Sequence, residues 1–299
     1  MLSVRLARPD EYSAALRLLF DDLDETARNL RLAVVLDQLG DGLAPQLLLV
    51  AVRDDQLVGA GWVSPAAGKT GLLQMPRLIP GEDLQTADVI LAALNDAVAE
   101  ADVQLVQAML TSDQSADRRQ LEEHGYDLAA DLHYLSCQAN HFPRSLPQSE
   151  LTYRRAQNYG EAEFCRLIER TYIDSLDCPM LDGMRDMADV LEGYRATGTH
   201  DPSLWLIAQV AEQTVGCLLL TKHLEHNYWE LIYMGVVPEA RGNGWGYQIT
   251  QQALWLAQQA RQRMVVLGID SQNEPARAAY RRAGFEKFEQ RLVMLQVSG

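Results

Sequence analysis

Two stretches of the chain carry the same sequence of apolar and polar positions. Leu47 to Gly59 reads as an apolar strand, a tight polar turn and a second strand that carries a glycine. Leu204 to Gly216 repeats it without a gap at an offset of 157. Each is the pattern of a β-hairpin. Further along, His124-Gly125-Tyr126 and Ala283-Gly284-Phe285 stand 159 apart, each after an Arg-rich helical stretch and each with a glycine suited to a helix C-terminus. Strand–turn–helix openings recur at Arg5 and Tyr153. Between the copies, Asn140 to Ser149 holds two prolines and few apolar residues, the composition of a linker. The repeat therefore predicts domains at 1–141 and 150–299, joined by a linker at 142–149. For the second copy, periodicity predicts strands near 151–155, 204–210, 213–221, 229–237, 264–269 and 285–296. It predicts helices near 159–172, 184–196, 244–260 and 274–283.

Composition narrows the picture. The chain of 299 residues is 47% hydrophobic and carries 26 basic against 41 acidic side chains, net −15. That balance argues against nucleic acid or an anionic membrane as partner, since either calls for clustered Lys and Arg. No apolar run approaches the ~18 residues of a membrane span. Met1 to Leu6 runs straight into a strand-like pattern, with no signal-peptide pattern, so the expectation is a soluble cytoplasmic protein. Cys137, Cys165, Cys178 and Cys217 are widely spaced, which indicates neither a disulfide framework nor a zinc knuckle. His223 and His226 lack a third ligand nearby, so no metal is expected.

The most informative stretch is Trp229 to Tyr247. An apolar strand ends at Pro238, and Gly242, Gly244 and Gly246 then lead into a helix-compatible run from Gln248 to Gln259. Glycines let backbone N–H groups converge on an anion, and a helix N-terminus adds partial positive charge. This is the chemistry of a phosphate cradle. It is neither a Walker A loop, because no Gly-Lys-Ser/Thr follows, nor the G-x-G-x-x-G of a dinucleotide fold.

Here the sequence resembles the GNAT superfamily of N-acetyltransferases, whose pyrophosphate motif Gln/Arg-x-x-Gly-x-Gly/Ala is filled by Arg241, Gly244 and Gly246. Downstream, Asn273 with Ala276, Tyr280, Gly284 and Phe285 is similar to the family's Asn-x-x-Ala-x-x-x-Tyr-x-x-x-Gly-Phe signature. The resemblance covers the C-terminal copy and, through the repeat, extends more weakly to the first. It implies a mixed α/β (α+β) chain of two GNAT-like domains, each a mostly antiparallel twisted sheet flanked by helices. The resemblance further implies acetyl-CoA as co-substrate. Arg241, Gly242, Asn243, Gly244, Trp245, Gly246 and Tyr247 would surround its pyrophosphate, the strand edge Met234-Gly235-Val236 would pair with the pantetheine amides, and Asn273 and Arg277 would contact the rest. Arg281 and Arg282 are either phosphate contacts or a solvated helix face.

For catalysis the resemblance implies direct attack of an amine on the thioester, with Tyr280 as the acid for the leaving thiolate. Glu230, at the start of the fourth strand of the copy, is either a base or a solvent-facing carboxylate. Thr171 to Arg185 sits where the fold walls the acceptor site. Ser175, Asp177 and Arg185 are the candidates there for gripping an amine, the alternative being a helix-capping loop with Asp182 as cap. Cys178 is a poor nucleophile candidate, because direct transfer needs none.

The first copy departs from the motif at every chemical position. Asp83, Thr86 and Asp88 stand where Arg241, Gly244 and Gly246 stand in the second. Leu72, Gln114 and Leu121 replace Glu230, Asn273 and Tyr280. Residues 1–146 carry net −11 and the remainder net −4. The first copy reads as a degenerate domain with a structural or acceptor-binding role. A degenerate first copy before an intact second is similar to the layout of the mycothiol synthases, which act on a small-molecule amine. The expected function is therefore an acetyl-CoA-dependent N-acetyltransferase for a small-molecule amine. A protein N-terminal or lysine acetyltransferase, a non-catalytic acyl-CoA-binding regulator and the use of a longer acyl chain stay open.

Overall fold

The computed structural model describes residues 1–40, 47–181 and 183–297. The chain divides into two compact units, Met1–Leu128 with Val293–Gly299, and Ala129–Leu292. Both are mixed α/β with mostly antiparallel strand pairing.

In the first unit β1 (Leu2–Leu6) is followed by α1 (Tyr12–Leu19), α2 (Glu25–Gly40), the strands β2 (Leu48–Arg53), β3 (Gln56–Ala66) and β4 (Thr70–Leu78), then α3 (Gln85–Ala99), β5 (Leu105–Leu110) and α4 (Ser115–Glu123). Strands β1 to β4 pair antiparallel in chain order, and β4 pairs with β5 in parallel. Helix α1 forms because Ala15, Leu16 and Leu19 make one apolar face, which is buried with Val50, Ala60 and Trp62 of the sheet.

The second unit begins within β6 (Asp127–Gln138) and continues through β7 (Thr152–Arg155), α5 (Glu161–Tyr172), α6 (Met187–Ala196), β8 (Trp205–Val210), β9 (Gln213–His223), β10 (Tyr228–Val236), α7 (Trp245–Gln259), β11 (Met264–Asp270), α8 (Glu274–Arg282) and β12 (Glu286–Val297). These elements fall within three residues of the bounds read from periodicity. Helix α6 is capped by Asp186, whose carboxylate accepts the Ala188 N–H at 2.8 Å. The expected cap, Asp182, lies outside the described residues.

The compact units differ from the sequence copies at their last strands. Strand β11 pairs antiparallel with β6, from Met264↔Gln138 to Asp270↔Leu132, so the strand that closes the first copy in sequence completes the sheet of the second unit. Conversely, Val293 onward belongs to the first unit, where Gln296 Nε2 donates to the His124 carbonyl at 3.1 Å. The final strand of the first copy thus lies almost wholly in the second unit, while that of the second copy is divided, Glu286–Leu292 in the second unit and Val293 onward in the first. Sequence divisions at 141 and 150 describe the repeat, while the bounds of the compact units fall at residues 128 and 292.

The core of the second unit lies around β8, β9 and β10. Phe164, Leu167 and Ile168 of α5 and Ile249, Ala253, Leu254 and Ala257 of α7 are buried in one apolar cluster with Leu218, Leu219 and Leu220. Both helices are thereby fixed against the strands that frame the site.

Candidate active site

The site begins with two strands that part company. Strand β10 pairs with β11 in parallel only at Trp229↔Val265 and Glu230↔Val266. Beyond that point β10 stays with β9 as far as Val236↔Gly216, through an irregularity between Leu231 and Tyr233. Strand β11 stays with β6. The inner edge of β10 from Leu231 onward therefore has no strand partner. Its backbone groups face a cleft of about 630 Å³ lined by Met234, Gly235, Val236, Arg241, Gly242, Gly244, Trp245, Gly246, Tyr247, Asn273 and Tyr280, among others. A free strand edge inside a concave site is a template for an extended, amide-bearing ligand. Gly235 lets α5 come close to this strand, since a Cβ there would sit 2.5 Å from Thr171 Oγ1.

At the end of β10 a turn at Pro238–Ala240 leads into the glycines. Gly242 (φ +81°) and Gly244 (φ +77°) adopt the left-handed conformation that L side chains avoid, and a Cβ at either would project into open space. Gly244 is the N-cap of α7. No side chain caps this end, and its first turn holds no acidic residue. The helix thus presents orphan N–H groups and its positive dipole end to the cleft.

The Arg241 guanidinium does not point at this cradle. It donates to three backbone carbonyls: Val236 (3.1 Å), Asp174 (3.1 Å) and Thr171 (3.0 Å). Its backbone N–H is likewise engaged, by the Pro238 carbonyl. Arg241 is therefore a clamp that ties the end of α5 and the following loop to the cradle. An Arg170–Glu239 ion pair joins the same two segments. Asn243 does not line the cleft, and its amide donates to the carbonyls of Ala240 and Arg241.

The first unit answers the same helix end from within. Before α3 the Asp83 carboxylate accepts the Gln85 N–H at 3.0 Å and its carbonyl accepts the Thr86 N–H. Glu82 bonds the Thr86 hydroxyl (2.7 Å) and Arg53 (2.7 Å). Past the end of the β4–β5 pairing, Arg77 and Gln114 converge on Asp117 at 3.3 and 2.8 Å. Where α7 offers vacant donors, α3 is already held by carboxylates of its own chain.

Among the predicted chemical residues, Tyr280 lies on α8 and lines the cleft at 5% exposure, edge-on to Phe285. Burial, with the nearby Asp177 charge adding to it, raises its pKa and keeps the phenol protonated. No group hydrogen-bonds its hydroxyl among the described residues. Asn273 lines the cleft and caps α8, its Oδ1 accepting the Ala276 N–H at 3.3 Å. Arg277 is turned to Glu274 (2.7 Å) and the Ser271 carbonyl (3.0 Å), away from the lining residues. Arg282, left open above between a phosphate contact and a solvated helix face, lines the cleft, with its guanidinium carbon 4.1 Å above the Tyr247 ring.

Glu230 is not a lining residue, and its Oε2 sits 2.7 Å from His223 Nε2. Ser175 and Asp177 line the cleft, whereas Arg185 does not. Ser175 Oγ accepts the Asp177 N–H at 3.1 Å. Asp177 Oδ1 in turn accepts the Asp270 N–H at 3.0 Å. Asp177 is an exposed residue at the rim of the cleft, packed on one side. Lost hydration raises its pKa above the usual carboxylate range; the Asp270 N–H opposes this and the Asp270 charge adds to it. Beside it, burial pushes the Cys178 thiol up to about 12, so the sulfur stays a thiol rather than a nucleophilic thiolate. Among the described residues no group of three His, Cys, Asp or Glu side chains is placed to hold a metal ion. Nor is any helix long and apolar enough to cross a membrane.

A parallel strand pair that splays over a glycine cradle at a helix N-terminus defines the GNAT class of fold. Residues 167–285 match the model of the acetyltransferase (GNAT) family. Among solved structures, a GCN5-related N-acetyltransferase from Sphaerobacter thermophilus is similar over 99% of this chain and 96% of its own, at 17% identity and a TM-score of 0.66. A tandem GNAT protein from the clavulanic acid biosynthesis pathway is similar over 100% and 99% of the two chains, at 12% identity and a TM-score of 0.56. At these identities the likeness is one of fold, and it extends over both units. No curated protein matches the sequence.

Proposed function

We propose that the second unit is an N-acetyltransferase that moves an acetyl group from acetyl-CoA to a primary amine of a small molecule, by direct attack in a ternary complex. The observation that supports this most is the meeting, in one cleft, of an uncapped glycine-led helix N-terminus, a free strand edge and a buried unpartnered tyrosine. Acetyl-CoA is the substrate that supplies the activated acetyl thioester. The N–H groups at the start of α7 fit its pyrophosphate, and the open space beside Gly242 and Gly244 leaves room for it. The β10 edge at Met234–Val236 fits the pantetheine amides, and a backbone N–H there can polarise the thioester carbonyl. Arg282 and Asn273 serve the flanks of the same ligand. Tyr280, neutral because buried, gives its proton to the departing sulfur. Ser175 and Asp177 form the acceptor wall.

Incubation of the full chain with acetyl-CoA and a metabolite extract tests the proposal. The expected result is one or a few amines gaining an acetyl group, with matching release of free thiol. Saturable acetyl-CoA binding with no acetylated product from any amine would instead make the unit a binding module.

A further inference from the structure

The acceptor side of the same cleft carries an inference that rests on the acetyltransferase reading. An amine acceptor is mostly an ammonium ion near neutral pH, so a group inside the site must remove a proton before nitrogen can attack. Glu230 is held by His223 and lines no part of the cleft. Two carboxylates of the α5–α6 loop do line it, Asp174 and Asp177. Asp174 is an exposed residue whose part in the structure is its carbonyl, which holds Arg241. Asp177 is built in. Its Oδ1 is fixed by the Asp270 N–H at 3.0 Å, at the end of β11, while Oδ2 takes no hydrogen bond among the described residues. Behind it stands Asp270, 3% exposed, with a carboxylate oxygen 2.9 Å from the Gln272 N–H. No Lys or Arg pairs with Asp177 among the described residues. Independently, Tyr280, whose side chain is 5% exposed and makes no hydrogen bond among the described residues, brings its hydroxyl to the same cleft, and the Asp177 charge reaches it. A buried polar group left unsatisfied at a concave wall is completed by a ligand atom.

We infer that Asp177, held by the Asp270 N–H and backed by the Asp270 carboxylate, is the catalytic base, and that the pair selects a cationic amine with no anionic group beside its nitrogen. The ammonium gives one proton to Asp177 Oδ2, and the freed nitrogen lone pair forms the N–C bond at the thioester carbonyl. As the C–S bond breaks, sulfur takes its electron pair and the Tyr280 proton. The second nitrogen proton restores the phenol. Asp177, at the accessible rim, returns its proton to solvent, so the sum is amide, CoA thiol and one released proton.

Spermidine, glucosamine and glycine serve as acceptor probes, with the full chain and acetyl-CoA. Spermidine or glucosamine is expected to be acetylated in preference to glycine, whose carboxylate the acidic pair repels. Asp177→Asn keeps an oxygen for the Asp270 N–H and removes only the base. Its kcat/KM at pH 7 is expected to fall about 100-fold or more, with acetyl-CoA Kd within about threefold. The deficit is expected to shrink as pH rises toward the pKa of the amine, where free base reaches the site unaided. The groups that share the field of Asp177 and shape that profile are Asp270, Cys178, Tyr172, Tyr233 and Tyr280. Asp174→Asn and Glu230→Gln are the comparators, each expected to change kcat/KM by less than about fivefold. Loss of activity in either comparator but not in Asp177→Asn overturns the inference and leaves the acetyltransferase reading standing. So does a deficit in Asp177→Asn that does not vary with pH, or a preference for glycine. If neither these probes nor the amines of a metabolite extract are acetylated, both fall together.

Discussion

On the proposed mechanism, Tyr280 and Asp177 take two opposite proton tasks in one cleft, set by how deeply each is enclosed. The phenol is enclosed and held neutral, ready to donate; the carboxylate sits at an accessible rim, able to accept and release. Tyr280→Phe removes a hydroxyl that bonds nothing in the protein, so stability should hold while kcat falls by about 10²–10⁴-fold. Stopped-flow thiol release together with acetyl-CoA titration checks both halves; unchanged kcat would remove Tyr280 from the chemistry. Asp177 also makes a stability prediction. Its folded pKa lies above the ordinary value of 3.8, so across that interval the native state holds more protons than the unfolded chain. Stability therefore falls as pH rises through the interval and stays lower above it. Asp177→Asn should melt higher than the wild type at pH 7, and the two should converge in acid below the ordinary carboxylate range. A variant that melts lower at pH 7 would mean the carboxylate stabilises the fold. The residue types at this site were legible in the sequence where a motif spaced them, as with Tyr280 and Asn273. Asp177 and Asp270 lie 93 positions apart, and no local pattern announces their contact. The Arg277 and Arg282 difference was readable from helical spacing: Glu274, Arg277 and Arg281 share a face at i, i+3 and i+7, which leaves Arg282 to another.

At the scale of elements, the cleft depends on keeping β10 and β11 apart past Glu230 and on holding the α5–α6 loop across their ends. That loop is pinned on the β10 side by Arg241 and on the β11 side by the Asp177–Asp270 bond. Arg241→Ala strands three carbonyl partners of a charged donor and should cost about 1.5–3 kcal/mol. Amide hydrogen exchange should accelerate at residues 171–178, and acetyl-CoA should bind more weakly because the loop and cradle are no longer held together. Unaltered exchange there would show the clamp to be idle. The motif spacing placed Arg241 at the pyrophosphate loop but could not give its side chain a direction, which the nearby carbonyls of α5 decide. Element bounds were legible because apolar periodicity is strong in both amphipathic helices and alternating strands. The partner of each final strand was not. Strands β6 and β12 occupy equivalent places in the repeat, and nothing local announces that β6 pairs with β11 of the second copy.

Over the whole molecule, the repeat reads as a division of labour written in helix N-termini. In the second unit α7 opens with glycines and no cap; in the first, Asp83 and Glu82 fill the corresponding place before α3, and Arg77 with Asp117 bridges the region past its parallel pair. The charge split follows the same line, with net −11 on residues 1–146. On the proposed function, one fold is kept twice and its anion site once. Calorimetric titration of the full chain with acetyl-CoA tests this most directly, run alongside Gly244→Ala, whose added Cβ points into the space beside the uncapped helix end. The expected result is one site per chain, with affinity reduced at least about tenfold in Gly244→Ala, the equivalent of ~1.4 kcal/mol. Two sites per chain, or one site indifferent to Gly244→Ala, would contradict it.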